Sequence, residues 1–381
     1  MNTYDWLSRL VSCDTTSRNS NLELIDLLEN YFRELKITTR ITQDPDEAKA
    51  NLLAIIPASD GNTQGGIVMS GHTDVVPVDG QRWETDPFTL VKKEGKLYGR
   101  GTADMKGFLA VMLGLVPEIL QAKRKHPVYL AFSYDEEIGC RGAPLMIADI
   151  VNNSIKPQAC IVGEPTGMRP VIAHKGIQAF RCRVQGHAAH SSLTPHGCNA
   201  IEYAAQLICY IRSVAEDLKN NGAIDSHFDV PFTTISTNMI HGGIAHNTIP
   251  EACDVIFEFR NLPQVQPDNI LDQIRNYVDK ELLPKMRREK SHANIEIDKL
   301  SAAPAFEISA EAEILQTVRA ITKHQDEYKV AYATEAGLFQ SADIPTIVCG
   351  PGHIDQAHRA NEYVDVEQLG LCEKFMRDLL L

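Results

Sequence analysis

The sequence predicts an α/β protein with a largely parallel sheet, into which a smaller α+β domain is inserted. Two observations predict this. Apolar runs of strand length alternate with segments of helical periodicity from residue 21 to residue 163, and again after residue 302. Between these stretches the texture changes to strands of alternating polarity in the order β-α-β-β-α-β. A chain of 381 residues is long enough for more than one domain and a sizeable core.

The elements follow in order. Residues 21–36 place Leu22, Leu24, Ile25, Leu27, Leu28 and Phe32 on one helical face. "ANLLAII" at 50–56 and "GGIVMSGH" at 65–72 are β-rich. A helix fits 105–122, with Phe108, Val111, Met112, Leu115 and Leu120 inward. Then come the strand "VYLAFSY" at 128–134, a short helix near 142–150 and the strand "ACIVG" at 159–163. Continuous apolar strands of this kind belong to a sheet covered on both faces. From Ile172 the pattern changes. "IQAFRCRVQG" alternates like a half-exposed strand, and a helix follows at 198–218. "TTISTNMI", "ACDVIFEFR", a helix at 267–282 and "NIEIDKL" complete a split βαβ, ferredoxin-like layer. A helix near 309–323, the strand "PTIVCG" and a terminal helix at 366–380 return to the first pattern. The predicted division is therefore 1–173 with 302–381 for the α/β domain, and 174–301 for the insertion.

Composition excludes several functions. The net charge of -13 argues against a nucleic-acid surface and against binding to anionic membranes. No apolar run approaches the ~20 residues of a membrane-spanning helix. The start "MNTYDWLSRLVS" lacks a basic region followed by an apolar one, so no secretory signal is expected there. Nine cysteines without a C-x-x-C pair read as reduced thiols of a cytoplasmic protein. Cys140 and Cys198 lie beside segments of interest, but a thiol nucleophile at either would need a positioned base, and most of the nine read as core fillers. There is no P-loop and no G-x-S-x-G elbow. "YGRGTADMKG" has a G-x-G before a helix, but Asp104 in the third position would repel a pyrophosphate.

Five strands of the α/β part end in ligand-type residues. "GIVMSGHTDVVP" carries His72 and Asp74, and "LYGRGTADMKG" carries Asp104. "SYDEEIGC" carries Asp135, Glu136 and Glu137, "ACIVGEPTG" carries Glu164, and "PTIVCGPGHIDQAH" carries His353 and His358. In open α/β sheets, sites form at the carboxyl ends of strands. Each residue has a plain reading alone. A strand-end histidine can be a structural hydrogen-bonder, Asp104 an N-cap, and Glu164 a turn residue. Together they are harder to explain so, because clustered acids repel unless a cation compensates them. Carboxylates and imidazoles without thiolates suit zinc, cobalt or manganese in a hydrolytic site. The count exceeds one tetrahedral shell and favours two ions about 3.5–4 Å apart. Asp74, two residues from His72, fits a partner that fixes the His72 tautomer. Adjacent residues at a strand end point apart, so Glu137 can bind an ion while Glu136 faces the reacting water as general base. Asp135 reads as a structural turn residue.

At these residues the sequence resembles the zinc aminoacylase/dipeptidase family of co-catalytic metallopeptidases. The motifs "GHTDVVP", "GRGTADMKG", "DEE", "GEPT" and "GPG…AH…NEYV" occur in order over nearly the whole chain. The resemblance implies a zinc-aminopeptidase-like catalytic domain and an inserted dimerisation domain. It implies two Zn2+ per subunit, with Co2+ able to substitute. One is held by His72, Asp104 and Glu164, the other by Asp104, Glu137 and His358. Asp104 bridges and Glu136 is the base. It implies a cis peptide after Asp104. His353 is the local competitor of His358, which precedes "RANEYV" as the family's ligand does. "GHAAHSS" resembles the segment whose histidine crosses a dimer interface to polarise the scissile carbonyl. That residue is His190, with His187 the alternative. "GGIAHNTIP" and "FEFRNLP" resemble segments that hold the substrate carboxylate, through Asn247 and Arg260.

The resemblance also bears on the reaction. "ATEAGLFQ" and "GPGHIDQAHRANEYV" are most like acetylornithine deacetylases. The implied reaction removes the N-acetyl group from N2-acetyl-L-ornithine, giving L-ornithine and acetate in arginine biosynthesis. Glu335 is expected near the ligand, favouring a cationic side chain. Alternatives are a related N-acyl-amino-acid hydrolase (succinyl-diaminopimelate desuccinylase, acetylcitrulline deacetylase or aminoacylase) and, from a different class, a non-catalytic metal-binding protein. The expected partners are a small N-acyl amino acid and a second copy of the chain.

Overall fold

The computed structural model describes residues 1–44 and 48–381. They form two compact units. One comprises Met1–Ala173, Phe306–Tyr328 and Thr334–Leu381; the other comprises His174–Ala305 and Lys329–Ala333.

The first unit is built on a mixed sheet. Its strands lie in the order Thr38–Gln43, Ala50–Ile56, Val128–Ser133, Ile67–His72, Ala159–Val162, Thr346–Val348, Val171–His174, Phe306–Glu307. The centre is parallel, from Val128–Ser133 across to Thr346–Val348. The described flanking pairs on both sides are antiparallel, so the sheet is less uniformly parallel than the sequence predicts. For the outermost pair of the first flank the reason is chain length. Only residues 44–49 separate Thr38–Gln43 from Ala50–Ile56, too few for the crossover that a parallel pair needs. Val128–Ser133 and Ala159–Val162 are buried at every position. Residues that face covering layers on both sides have no reason to alternate.

The helix Gly107–Gln121 is buried on most of its surface, through Phe108, Leu109, Val111, Met112, Leu115, Val116 and Ile119. It fits against the sheet because Gly163 has no side chain. A Cβ there would lie 2.1 Å from the Phe108 ring. Ahead of this helix the chain makes a wide turn over Thr102–Lys106, entered from Gly101 at φ +82. The helix therefore begins after Lys106, and Asp104 is not its cap. The Asp104–Met105 peptide is cis.

The second unit is a four-stranded antiparallel sheet with two helical segments. Its strands lie in the order Thr234–Gly242, Ala252–Asn261, Gly176–Gln185, Asn294–Ala303. Ala200–Asn221 is one helix, and Pro267–Tyr277 continues through turns to Glu289 as the second. This is the ferredoxin-like arrangement. Gly176–Gln185 buries alternate residues, and its Phe180 stacks on Phe257 and Phe259 at 5.4 and 5.7 Å between ring centres.

Candidate metal centre

Strand register assembles the first half of the site. Ile67–His72 pairs with Val128–Ser133 so that His72 lies opposite Ser133. The turn after Ser133 therefore delivers Glu136 and Glu137 beside His72. On the other side the same strand pairs with Ala159–Val162, and Gly163 N–H donates to the Ser70 carbonyl at 3.0 Å, which sets Glu164 level with the cluster.

The His72 tautomer is set by the backbone. Nδ1 lies 2.9 Å from the Asp74 carbonyl oxygen, so in the neutral imidazole Nδ1 carries the proton and Nε2 the lone pair. The Asp74 carboxylate, at 3.5 Å from Nδ1, has a different principal task. It accepts the Glu136 N–H at 3.0 Å, the Glu137 N–H at 3.3 Å and the Ser17 hydroxyl at 2.7 Å. Asp74 thus orients His72 through its main chain and both glutamates through its side chain.

His72 Nε2 faces Asp104 Oδ1 at 3.1 Å and Glu164 Oε1 at 3.8 Å. His358 Nε2 faces the other Asp104 oxygen at 3.2 Å and Glu137 at 3.0 Å. One carboxylate is therefore shared between two imidazoles. His353 is turned elsewhere, with its ring where a Gly167 side chain would be. Asp104 and Glu164 are buried, while Glu136 is partly exposed. Among the described residues, two sets of ligand-type side chains bring their donor atoms within 4.8 Å of one another: His72, Glu136, Glu164 and His72, Asp104, Glu137. In the first set Glu136 stands where Asp104 was expected. A base facing water between two ions must stand about that close, so proximity alone does not separate base from ligand.

The electrostatics show what the cluster lacks in protein groups. Burial raises the Glu136 carboxyl well above the usual carboxylate range; His72 opposes this, and repulsion from Glu137, Glu335 and Asp104 reinforces it. Burial, then repulsion from Asp104, lifts Glu137 to about 7. Burial and the neighbouring acids also raise Glu164, whose Oε1 is buried without a hydrogen-bond partner. Burial acts on Asp104 in the same sense, but hydrogen bonds from the cationic imidazoles of His358 and His72, both raised by the neighbouring acids, outweigh it and hold that carboxyl below its usual range. Hydrogen bonds to Asp104 and Glu137 push His358 up to about 10. A divalent cation reverses this pattern, favouring ionised carboxylates and neutral imidazoles together. The oxygen-and-imidazole donor set fits such a cation. Cys140 does not join it, because burial pushes its thiol well up; the Sγ–H instead donates to Glu136 at 3.5 Å.

Several residues support the cluster through contacts that the sequence does not mark. Asp135, at φ +52, is a buried ion-pair member with both oxygens 2.6 Å from Lys49 Nζ, which also donates to the Ser17 carbonyl. Lys106 is fully buried, donates to the Cys13 carbonyl at 2.9 Å, and is brought down to about 8 by burial. Arg100 and Glu362 form a buried pair at 2.6 Å. Arg100 and Glu362 lay inside quoted motifs, "GRGT" and "NEYV"; Ser17 and Lys49 carried no signal.

The remaining expected residues are placed as follows. Glu335 is 1% exposed, behind the strand ends, with Ser70 Oγ 3.4 Å from Oε2 and Oε1 without a partner. It lies behind the strand ends, not on an open surface. His190, Asn247 and Arg260 belong to the second unit. His190 is exposed on the short strand Ala189–His190, with Nδ1 2.8 Å from Ser192 Oγ. Asn247 is its neighbour, since Ser191 N–H donates to the Asn247 carbonyl at 3.0 Å. His187 packs edge-on against the His292 ring, with 5.1 Å between ring centres. Arg260 donates to Glu258 at 3.0 Å from the strand Ala252–Asn261.

Comparison with known proteins gives a consistent set of relatives. The profile of Peptidase family M20/M25/M40 matches residues 68–381. An acetylornithine deacetylase of Shigella sonnei (strain Ss046) is 36% identical over 348 residues, covering 91% of this chain and 87% of that protein. The M20 family metallo-carboxypeptidase Sso-CP2 of Sulfolobus solfataricus superposes with a TM-score of 0.77 at 16% identity, over 100% of this chain and 98% of that one. The Bacillus subtilis YXEP protein, a dinuclear metal-binding peptidase of the M20 family, gives 0.69 at 15% identity, over 99% and 96%.

Proposed function

The chain belongs to Peptidase family M20/M25/M40, and from that membership we propose that it hydrolyses N2-acetyl-L-ornithine to L-ornithine and acetate. It is a metallohydrolase acting on an amide. The observation that carries the two-cation reading is the shared Asp104 carboxylate, with an imidazole on each oxygen and Glu136 beside them; the substrate reading is drawn from the similarity to an acetylornithine deacetylase.

Two cations would be held by His72, Asp104 and Glu164 and by Asp104, Glu137 and His358. Zinc suits this donor set, and the bound ions would polarise the amide carbonyl and make water acidic enough to attack near neutral pH. The chain's own residues do the rest. Glu136 takes a proton from the attacking water at a carboxylate oxygen as the water oxygen bonds to the acyl carbon. It then gives that proton to the amine nitrogen as the C–N bond breaks. The Asp74 carboxylate holds both glutamate N–H groups, so Glu136 keeps its aim through the cycle. Arg260 and Asn247 would bind the substrate carboxylate, Arg260 exchanging Glu258 for it. Glu335, buried behind the cluster, would act on a cationic side chain through its field and not by contact.

His190 would stabilise the developing oxyanion from a second copy of the chain. Support for a homodimer comes from the strand Thr234–Gly242. It ends the sheet of the second unit and carries the half-exposed apolar residues Met239 and Ile240. Such an edge is a template for pairing. All nine cysteines are free thiols, which suits a cytoplasmic enzyme. Among the described residues no helix is long and apolar enough to cross a membrane.

A substrate panel tests this reading: N2-acetylornithine, N-acetylmethionine, N-acetylcitrulline and N-succinyl-diaminopimelate. N2-acetylornithine is expected to have the highest kcat/KM, by roughly 10-fold, since a buried carboxylate's field on a nearby cation supplies on the order of 1 kcal/mol. His190→Ala should lower kcat on it with little change in KM. Faster turnover of any other panel member would overturn the substrate assignment, and an unchanged kcat in His190→Ala would remove that residue.

A further inference from the structure

The two ion positions are held by unequal scaffolds. His72 ends a strand whose register is locked on both sides. Glu164 follows the strand Ala159–Val162, whose neighbours on both sides are parallel strands. His358 has no such frame. It sits at φ +62 in the stretch before the strand Tyr363–Asp365, and its side chain is 51% exposed. Something else must hold it opposite Asp104.

The geometry points to a bracket of Gln81, Arg100 and Glu362 that positions His358 against Asp104 and so sets the affinity of one ion position independently of the other. This rests on the two-cation reading above. Glu362 Oε1 accepts the N–H groups of Ala103 and Asp104 at 2.9 and 3.1 Å, and Oε2 accepts from Arg100 at 2.6 Å. Arg100 passes the connection on. It donates to the Arg359 carbonyl at 3.3 Å and to Gln81 Oε1 at 2.6 Å. Gln81 Nε2 then donates to the His358 carbonyl at 2.9 Å. A continuous hydrogen-bonded path thus runs from the main chain of the bridging aspartate to the main chain of His358. Trp83 closes its outer side, with Nε1 3.1 Å from Gln81 Oε1 and its ring 5.1 Å from the Arg100 guanidinium carbon.

The interior of the bracket is fixed, since Arg100 and Glu362 are each 1% exposed. Gln81 is partly exposed and is the link that can be altered gently. Gln81→Glu keeps the acceptor that Arg100 and Trp83 use. It removes the Gln81 donor to the His358 carbonyl and sets a carboxylate oxygen against it. The group that loses its partner is the hold on His358 alone. Outer partners of metal ligands typically control about 10–100-fold in metal affinity. That loss should fall on the Asp104–Glu137–His358 position, while His72 and Glu164 keep their strand-built geometry.

Cobalt titration of the chelated protein tests this, followed by visible absorption and by calorimetry. Wild type should take up two Co2+, and Gln81→Glu should bind the first as wild type does and the second about 10–100-fold more weakly. Its metal-free thermal midpoint should match wild type, and kcat should recover as Co2+ is raised with KM unchanged. Gln81→Ala, which also strips Arg100 of an acceptor, should show at least the same second-site loss. Wild-type affinity at both positions in Gln81→Glu, or an equal loss at both, would overturn the bracket. A wild-type chain that takes up a single ion would remove the two-cation reading and the bracket with it, and that is read from the wild-type arm alone.

Discussion

Glu136→Gln is expected to lower kcat by about 10²–10⁴-fold while the protein still carries its full complement of ions. The substitution keeps the shape of the side chain and removes only its ability to take and return a proton. It leaves in place the Glu136 main-chain N–H that binds Asp74 at 3.0 Å, so the turn holding Glu137 should not move. The result also separates the two roles that distance leaves open. Glu136 stands near His72 and Glu164 as closely as a ligand would. If it were a ligand, the variant would lose an ion together with its rate. Elemental analysis of the dialysed variant beside its steady-state kinetics decides between these. Lost rate with retained metal assigns the proton to Glu136; lost metal reassigns it to the ligand set.

The second large effect is at Asp104. Its two oxygens lie 3.1 Å from His72 and 3.2 Å from His358, so it serves both ion positions at once. Asp104→Asn keeps the volume but removes the charge, and turns an N–H2 group towards one imidazole. Both ions should bind more weakly, the metal content should fall below that of any variant altered at a single position, and kcat/KM should approach background. The fold should survive, because the Asp104 main chain still donates to Glu362 at 3.1 Å. Elemental analysis with circular dichroism checks this. A folded variant that keeps two ions would show that Asp104 does not bridge.

The sequence was informative wherever a local signal reports a global place. Continuous apolar runs marked the buried central strands, because full burial on both faces leaves no polar positions. Alternation marked Gly176–Gln185, because one face of that strand is wet. Ligand-type residues at strand ends could be read as a cluster, because parallel register brings strand ends level. The antiparallel flanks were less legible, since strand direction depends on connections and not on strand composition.

What stayed hidden depends on contacts distant in sequence. Ser17 acts on Asp74 from 57 positions away, and Arg100 pairs with Glu362 across 262. A serine or a lysine carries no local mark of such a partner. Asp104 shows the limit differently. The residue was legible as a possible ligand and as a possible N-cap, and only the wide turn at Thr102–Lys106 decides, by starting the helix after it. Asp135 was rightly separated from its two neighbours as structural, yet its buried pairing with Lys49 could not be foreseen from the turn it occupies.

The most direct test of a two-cation amidohydrolase is to titrate chelated protein with Zn2+ and measure acetate released from N2-acetylornithine at each addition. No acetate should appear without cation, and the rate should rise to its maximum by about two equivalents per chain. A chain that binds both ions and releases nothing from N2-acetylornithine or the other panel substrates would contradict catalysis and leave a metal-binding protein in its place.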